Sequence, residues 1–250
     1  MDPGELSKII PAAWAARKVL GPTLDTVGQD ISEVYRKGSA LIFTKAKRKI
    51  TNIDDNKTAN LRVTRDVFWN GAFTDEDICA EYFGGILAGS RSTDGKDDTG
   101  IFYLDLVKSL SSSQLKLHYY IYSSLNRILF GDAKYHSLNV AVSKEIQAKS
   151  IYFSTPELID LGINFEVDLV ALADKNLIGT FTYSDELHPD KHHLTQAVPT
   201  TLGVQLFAVA ANMLPNYREF SSKLFDNFDF SEKVPKVALS AEELIPKKIP

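Results

Sequence analysis

A mainly α fold is what this sequence predicts, a helical bundle followed by a smaller unit that carries one β-hairpin. Three observations support it. From Thr74 to Phe130 helix starts and apolar spacing recur, broken by one polar loop. Before that stretch the chain shows helical rhythm with no competing strand pattern. Beyond Gly131 the texture shifts to short helices and two extended runs.

In chain order, Leu6 to Leu20 reads as a helix ended by the Gly21-Pro22 breaker. Thr23 to Ile50 reads as a second, with Leu24, Val27, Ile31 and Val34 near helical spacing. A polar connection from Asn52 to Asn60 precedes renewed apolar rhythm over Leu61 to Trp69. Thr74 with Asp77 approximates a capping box, so the next helix is expected from there to about Ala88. Within it Gly85 and Gly89 stand four apart, the spacing that lets another backbone come close. Each glycine costs about 1 kcal/mol of helix propensity, which close packing would offset. Ser90 to Gly100 is a surface loop, and its Asp94, Asp97 and Asp98 do not fit the alternating oxygen ligands and terminal Glu of an EF-hand. Ile101 to Leu110 forms a short helix. A capping box at Ser111 to Gln114 opens a longer one, with Leu115, Tyr119, Tyr122, Leu125 and Leu129 as its inward stripe. His118 lies beside that stripe, with no sequence neighbour to make it a catalytic base, and reads as a packed residue.

Val140 to Phe153 combines a short helix with the β-prone Ile151-Tyr152-Phe153. Ser154-Thr155-Pro156 caps a helix that stops at Gly162, and a third helix occupies Glu166 to Leu177. Thr180 to Tyr183 and Leu194 to Val198 form a hairpin, and Thr200 to Leu214 the last long helix. That order is expected of a winged-helix-like unit. A DNA-reading third helix needs Arg, Lys, Asn or Gln aimed at bases. This one offers Glu166, Asp168 and Asp174 against Lys175, a surface that repels a duplex and suits protein docking. The last twenty residues, Ser231 to Pro250, read as a mobile extension with a short helix near Ala241 to Leu244. The expected segments are therefore 1–60 with the basic segment, 61–130 as a helical hairpin core, 131–220 as the winged unit, and 221–250 as the extension.

With 28 Lys plus Arg against 32 Asp plus Glu, the formal charge is −4, too small to draw the whole molecule to nucleic acid or an anionic membrane. One local exception stands out. Arg36, Lys37, Lys45, Lys47, Arg48 and Lys49 are the charged residues of an acid-free stretch around Ala40 to Phe43. It reads either as a solvated cationic helix end or as a site for an anionic membrane surface, nucleic acid or an acidic partner. MDPGELSK has the wrong chemistry for an export signal, and no apolar run reaches the roughly 20 residues of a membrane span. A single cysteine, Cys79, fits a reducing cytoplasm and, set among carboxylates, makes a poor nucleophile. His188, His192 and His193 share a hairpin tip with three carboxylates and are the one cluster of metal-ligand types, but they lack an HExxH-like spacing and read as a solvated turn. No Walker loop or GxSxG elbow is present, and no cofactor or catalytic residue is expected.

The run Phe73-Thr74-Asp75-Glu76-Asp77, Ala80 to Ala88, and Phe102 to Ser111 resembles the Abi-alpha (abortive infection alpha) family of bacterial proteins. So do Leu158 to Ile163, Leu194-Thr195 and Thr201 to Phe207, for a coverage of about residues 60–214. The segment between Phe130 and Ser154 is longer than that pattern. The resemblance implies an all-helical body with a winged-helix-like end, a phage-defence association, and no catalytic residues to carry over. The expected function is thus non-enzymatic binding in the cytoplasm, of a protein, an anionic partner or a second copy of the chain. The alternative is a winged-helix transcriptional regulator.

Overall fold

The structure, a computed structural model, describes residues 29–74, 76–184, 193–230 and 233–244. It is mainly helical with one small antiparallel sheet and a two-residue strand pair. The chain forms two compact units. The first holds residues up to 112 together with 209–214 and 227–230; the second holds 113–208, 215–226 and 231–250. The compact boundary therefore falls at 112, and not at 130 where the sequence reading placed one, because the helix that follows buries its tyrosines in the second unit's core. The expected helix at Leu6 to Leu20 lies outside the described residues.

In the first unit, α1 (Gln29–Lys49), α2 (Leu61–Gly71), α3 (Asp77–Gly89) and α4 (Gly100–Lys108) pack around Ile42, Ala46, Val63, Val67, Ile78, Tyr82 and Ile86, all nearly without exposed surface. α3 is buried along most of its length, which its run of small and apolar residues permits. Its glycines are the reason neighbours come so close. A Cβ on Gly84 would stand 2.9 Å from the Ala46 amide nitrogen, and one on Gly85 2.2 Å from the Ala210 carbonyl oxygen. Gly89 has ordinary space, its nearest neighbour being Asn212 Oδ1 at 3.4 Å, so only Gly85 of the expected pair is required by close approach. α3 begins at Asp77 with Glu76 as its N-cap residue. Thr74 does not cap it; its hydroxyl accepts from the Glu76 amide instead, 3.2 Å away.

The loop expected over Ser90 to Gly100 contains β2 (Arg91–Ser92), paired antiparallel with β1 (Thr58–Ala59). Arg91 is buried there, donating to Asp55 at 2.6 Å and to the Lys57 carbonyl at 3.0 Å. Asn60 caps α2, its side-chain oxygen accepting from the Arg62 and Val63 amides at 2.9 and 3.3 Å. Replacing Asn60 by Ala is expected to cost about 1 kcal/mol, read from urea unfolding followed by circular dichroism, with Asn60→Asp close to wild type.

The second unit holds α5 (Ser112–Gly131) from its second residue on, α6 (Ser143–Gln147), β3 (Ile151–Ser154), α7 (Thr155–Asp160), α8 (Phe165–Asp174), β4 (Ile178–Ser184), β5 (Leu194–Pro199), α9 (Thr201–Ala210) as far as Ala208, and β6 (Val237–Ala238). The sheet order is β4-β5-β3-β6, all neighbours antiparallel. A strand before two helices that returns to pair with the far strand of the following hairpin is the winged-helix arrangement. Proline starts α7 and Gly162, at φ +77°, ends its turn. Tyr122 of α5 sits at the centre of this core: its hydroxyl donates to the Leu177 carbonyl and accepts from the Thr200 amide at 3.0 Å. Gly203 has no Cβ because Tyr122 occupies its place; one would stand 1.9 Å from the hydroxyl. α9 ends four residues earlier than the expected Leu214, since Asn212 adopts a left-handed φ of +55° that breaks the helix.

Candidate functional site

The expected basic segment lies on α1, and the structure divides its six cations. Ile42, Lys45, Ala46 and Lys49 share the face of α1 turned to α3, so both lysines are buried at 3% exposure. Arg36, Lys37 and Lys47 face solvent, and Lys37 pairs with Glu33 one turn earlier at 2.7 Å. Arg48 lies at the border with 36% of its side chain exposed. The six therefore do not form one positive surface. Three of them, Lys45, Arg48 and Lys49, answer a negative charge inside the unit.

That charge is Glu81 of α3, which has no exposed surface. Its carboxylate takes Lys49 directly, Lys45 at 3.1 Å and Arg48 at 3.2 Å. Lys45 also reaches Asp77 at 3.3 Å and Asp229 at 3.4 Å. Burial alone pulls the Lys45 ammonium down, but Glu81 and Asp77 more than offset it and hold its pKa above the usual lysine value. Lys49 lies deeper, with no exposed side-chain area. There burial outweighs the Glu81 attraction, with Arg48 and Lys45 adding repulsion, and its pKa falls to about 8.

The same cluster meets backbone. Residues 227–230 lie on it: the Asn227 carbonyl accepts from Lys49 and, at 3.4 Å, from Arg48. The Asp229 carbonyl accepts from Lys45 at 2.8 Å, and the Asp229 amide donates to Glu81 at 2.9 Å. The Phe228 ring lies 4.5 Å from the Lys49 nitrogen and edge-on to Tyr82.

In the second unit, the third helix of the winged arrangement is α8. Asn164 caps it, and Asp168 turns back to accept from the Asn164 amide at 3.1 Å and from Ser113 Oγ at 3.1 Å. Asp168 is therefore a buried capping group and not part of a displayed acidic face; burial raises its pKa. What α8 does display is Glu166, Val167, Val170 and Asp174, with Val167 57% and Val170 55% exposed. Ile159 of α7 and Tyr183 of β4 are exposed as well, Tyr183 packing edge-on to Phe165 at 4.9 Å. Lys175 follows the helix and pairs with Asp174 at 3.5 Å.

His188 and His192 lie outside the described residues, as does the rest of the wing tip. His193 follows them, exposed, and its carbonyl accepts from the Thr155 amide at 2.9 Å. Among the described residues no group of three His, Cys, Asp or Glu is placed to hold a metal, and no helix is long and apolar enough to cross a membrane. A recess of about 390 Å³ lies beside α7, lined by Ser154, Pro156, Glu157, His193, Leu194 and Lys236. Its carboxylate is engaged, Glu157 accepting from the Lys236 amide at 2.9 Å and pairing with Lys233 at 3.2 Å. His118 is fully buried, its ring tilted at 40° against that of Tyr122 with centroids 4.6 Å apart, and hydrogen-bonded to the Gly203 backbone; burial lowers its pKa to about 3.

Sequence reasoning saw the basic residues of α1 but missed Glu81 and the returning segment. The signal was present: Lys45 and Lys49 fall on the apolar stripe of one helix, and Glu81 on that of another. Compared with family models, curated proteins and solved structures, the chain matches none of them.

Proposed function

We propose that this chain is a non-enzymatic binding protein of the abortive-infection kind, acting in the cytoplasm, whose winged unit docks a protein partner through α8 and α7. The carrying observation is the character of the outward face of α8. Val167 and Val170 stand one turn apart in solvent, flanked by Glu166 and Asp174, with Ile159 exposed on α7. Exposed aliphatic side chains gain by burial against another apolar surface, and their acidic rim would favour a basic one. Phosphate backbones gain nothing from either.

The strand order of the sheet favours a second reading, a DNA-binding regulator. One experiment separates the two. Fluorescence anisotropy with labelled random duplex at low salt is expected to show no binding, because α8 cannot neutralise phosphates. In a bacterial host challenged with a panel of phages, protection by the wild type should be lost in Val167→Glu/Val170→Glu, whose fold is checked by circular dichroism. Salt-sensitive duplex binding that the double variant weakens would establish the regulator instead, and unchanged protection would remove the docking role.

A further inference from the structure

The contacts made by residues 227–230 have a particular form. Four of them involve main-chain atoms, through the carbonyls of Asn227 and Asp229 and the amide of Asp229. Lys45, Lys49 and Glu81 thus contact main-chain groups of residues two apart, the spacing at which an extended segment presents its polar groups along one edge. Between those residues, Phe228 supplies the ring that meets Lys49 and Tyr82. Asp229 supplies the carboxylate 3.4 Å from Lys45. A buried ion pair between helices needs none of this. Its charges would be satisfied by each other and by helix side chains, whereas here three cations and one carboxylate are shared with a passing backbone.

We infer that the side chains of Lys45 and Lys49 on α1 and of Glu81 and Tyr82 on α3 form a peptide-binding site for a segment presenting an aromatic residue followed by an acidic one, occupied in this chain by its own residues 227–230. Lys49 and Lys45 bind the two carbonyls, Glu81 binds the intervening amide, Tyr82 and Lys49 receive the ring, and Lys45 receives the carboxylate. The segment itself is shallow, with Asp229 exposed and Asn227 and Phe228 half-buried. Lifting it returns charged groups to water and uncovers the two half-buried rings of Phe228 and Phe230. That makes it an exchangeable occupant, open to competition from a partner segment of the same chemistry. This site is separate from the face of α8 and stands without the docking role proposed there.

The test uses the full chain. Phe228→Ala/Asp229→Pro removes the ring, the carboxylate and the amide donor from the internal occupant while leaving Lys45, Lys49, Glu81 and Tyr82 in place. A fluorescein-labelled peptide with the sequence of residues 225–230 should bind this variant with micromolar Kd and bind the wild type about tenfold more weakly, since the internal segment competes. Exchanging the Phe228 and Asp229 positions for Gly and Ser in the peptide should abolish binding. Equal affinity for both proteins, or no binding to a folded variant, overturns the site. A second measurement needs no substitution. By hydrogen exchange in the native wild type, the Asp229 amide should exchange about a hundredfold faster than the α3 amides, because the segment opens without global unfolding. Exchange of Asp229 as slow as that of Tyr82 would make the segment a fixed part of the core and overturn the inference independently.

Discussion

Glu81→Gln is expected to destabilise the first unit by roughly 3 to 5 kcal/mol, the range for leaving one side of a buried ion pair without its counter-charge. The amide can still accept one hydrogen bond, but it offers no charge to Lys49, which has no exposed side-chain area, or to the nearby Lys45 and Arg48. The main-chain amide of Asp229 loses its charged acceptor in the same change. Thermal unfolding followed by circular dichroism at neutral pH should show the midpoint falling by on the order of 10 °C. Replacing both partners, Lys49→Met with Glu81→Leu, should recover much of that loss, because the burial cost of the two charges disappears along with their attraction. A single variant as stable as wild type would mean that water reaches the cluster and screens it.

Acid should weaken the second unit through His118. Its pKa is lowered from 6.5 to about 3 by burial, so the folded chain keeps the ring neutral where the unfolded chain binds a proton. Between those two values the unfolded state holds more protons, and stability therefore rises with pH across the window. The contribution is fully present above pH 6.5 and is lost progressively as the pH falls toward 3, reaching roughly 3 kcal/mol by pH 4. Urea unfolding at a series of pH values measures it. His118→Gln removes the titrating group while retaining a side-chain donor for the Gly203 backbone, and should flatten the dependence between pH 6 and about 4 whatever its baseline stability. A slope unchanged by the substitution would assign the acid sensitivity to carboxylates elsewhere.

The parts of the fold that were legible are those that local rules govern. α3 and α5 announced themselves by apolar spacing, and the helix at Pro156 by its proline and the glycine that stops it. The β4–β5 hairpin showed as two short β-prone runs. What the sequence hid depends on partners far along the chain. Whether Lys45 faces water or Glu81 is decided by the packing of α1 on α3, not by its neighbours in sequence. Asp168 looked like surface charge because its acceptor role depends on Ser113, fifty-five residues away. β1, β2 and β6 are two residues each, too short for any periodicity to register. The basic segment is divided by tertiary structure: Arg36, Lys37 and Lys47 remain outside while Lys45 and Lys49 turn inward.

The first compact unit draws residues 209–214 and 227–230 from near the other end of the chain. During synthesis, then, α1 through α4 leave the ribosome long before the pieces that seal Gly85 and Glu81 have been made. Translation must pass position 230 before this unit can close, and the intervening polypeptide emerges while the first half still waits. A nascent chain halted at 112 holds α1 through α4 with the charged seam at Glu81 still uncovered.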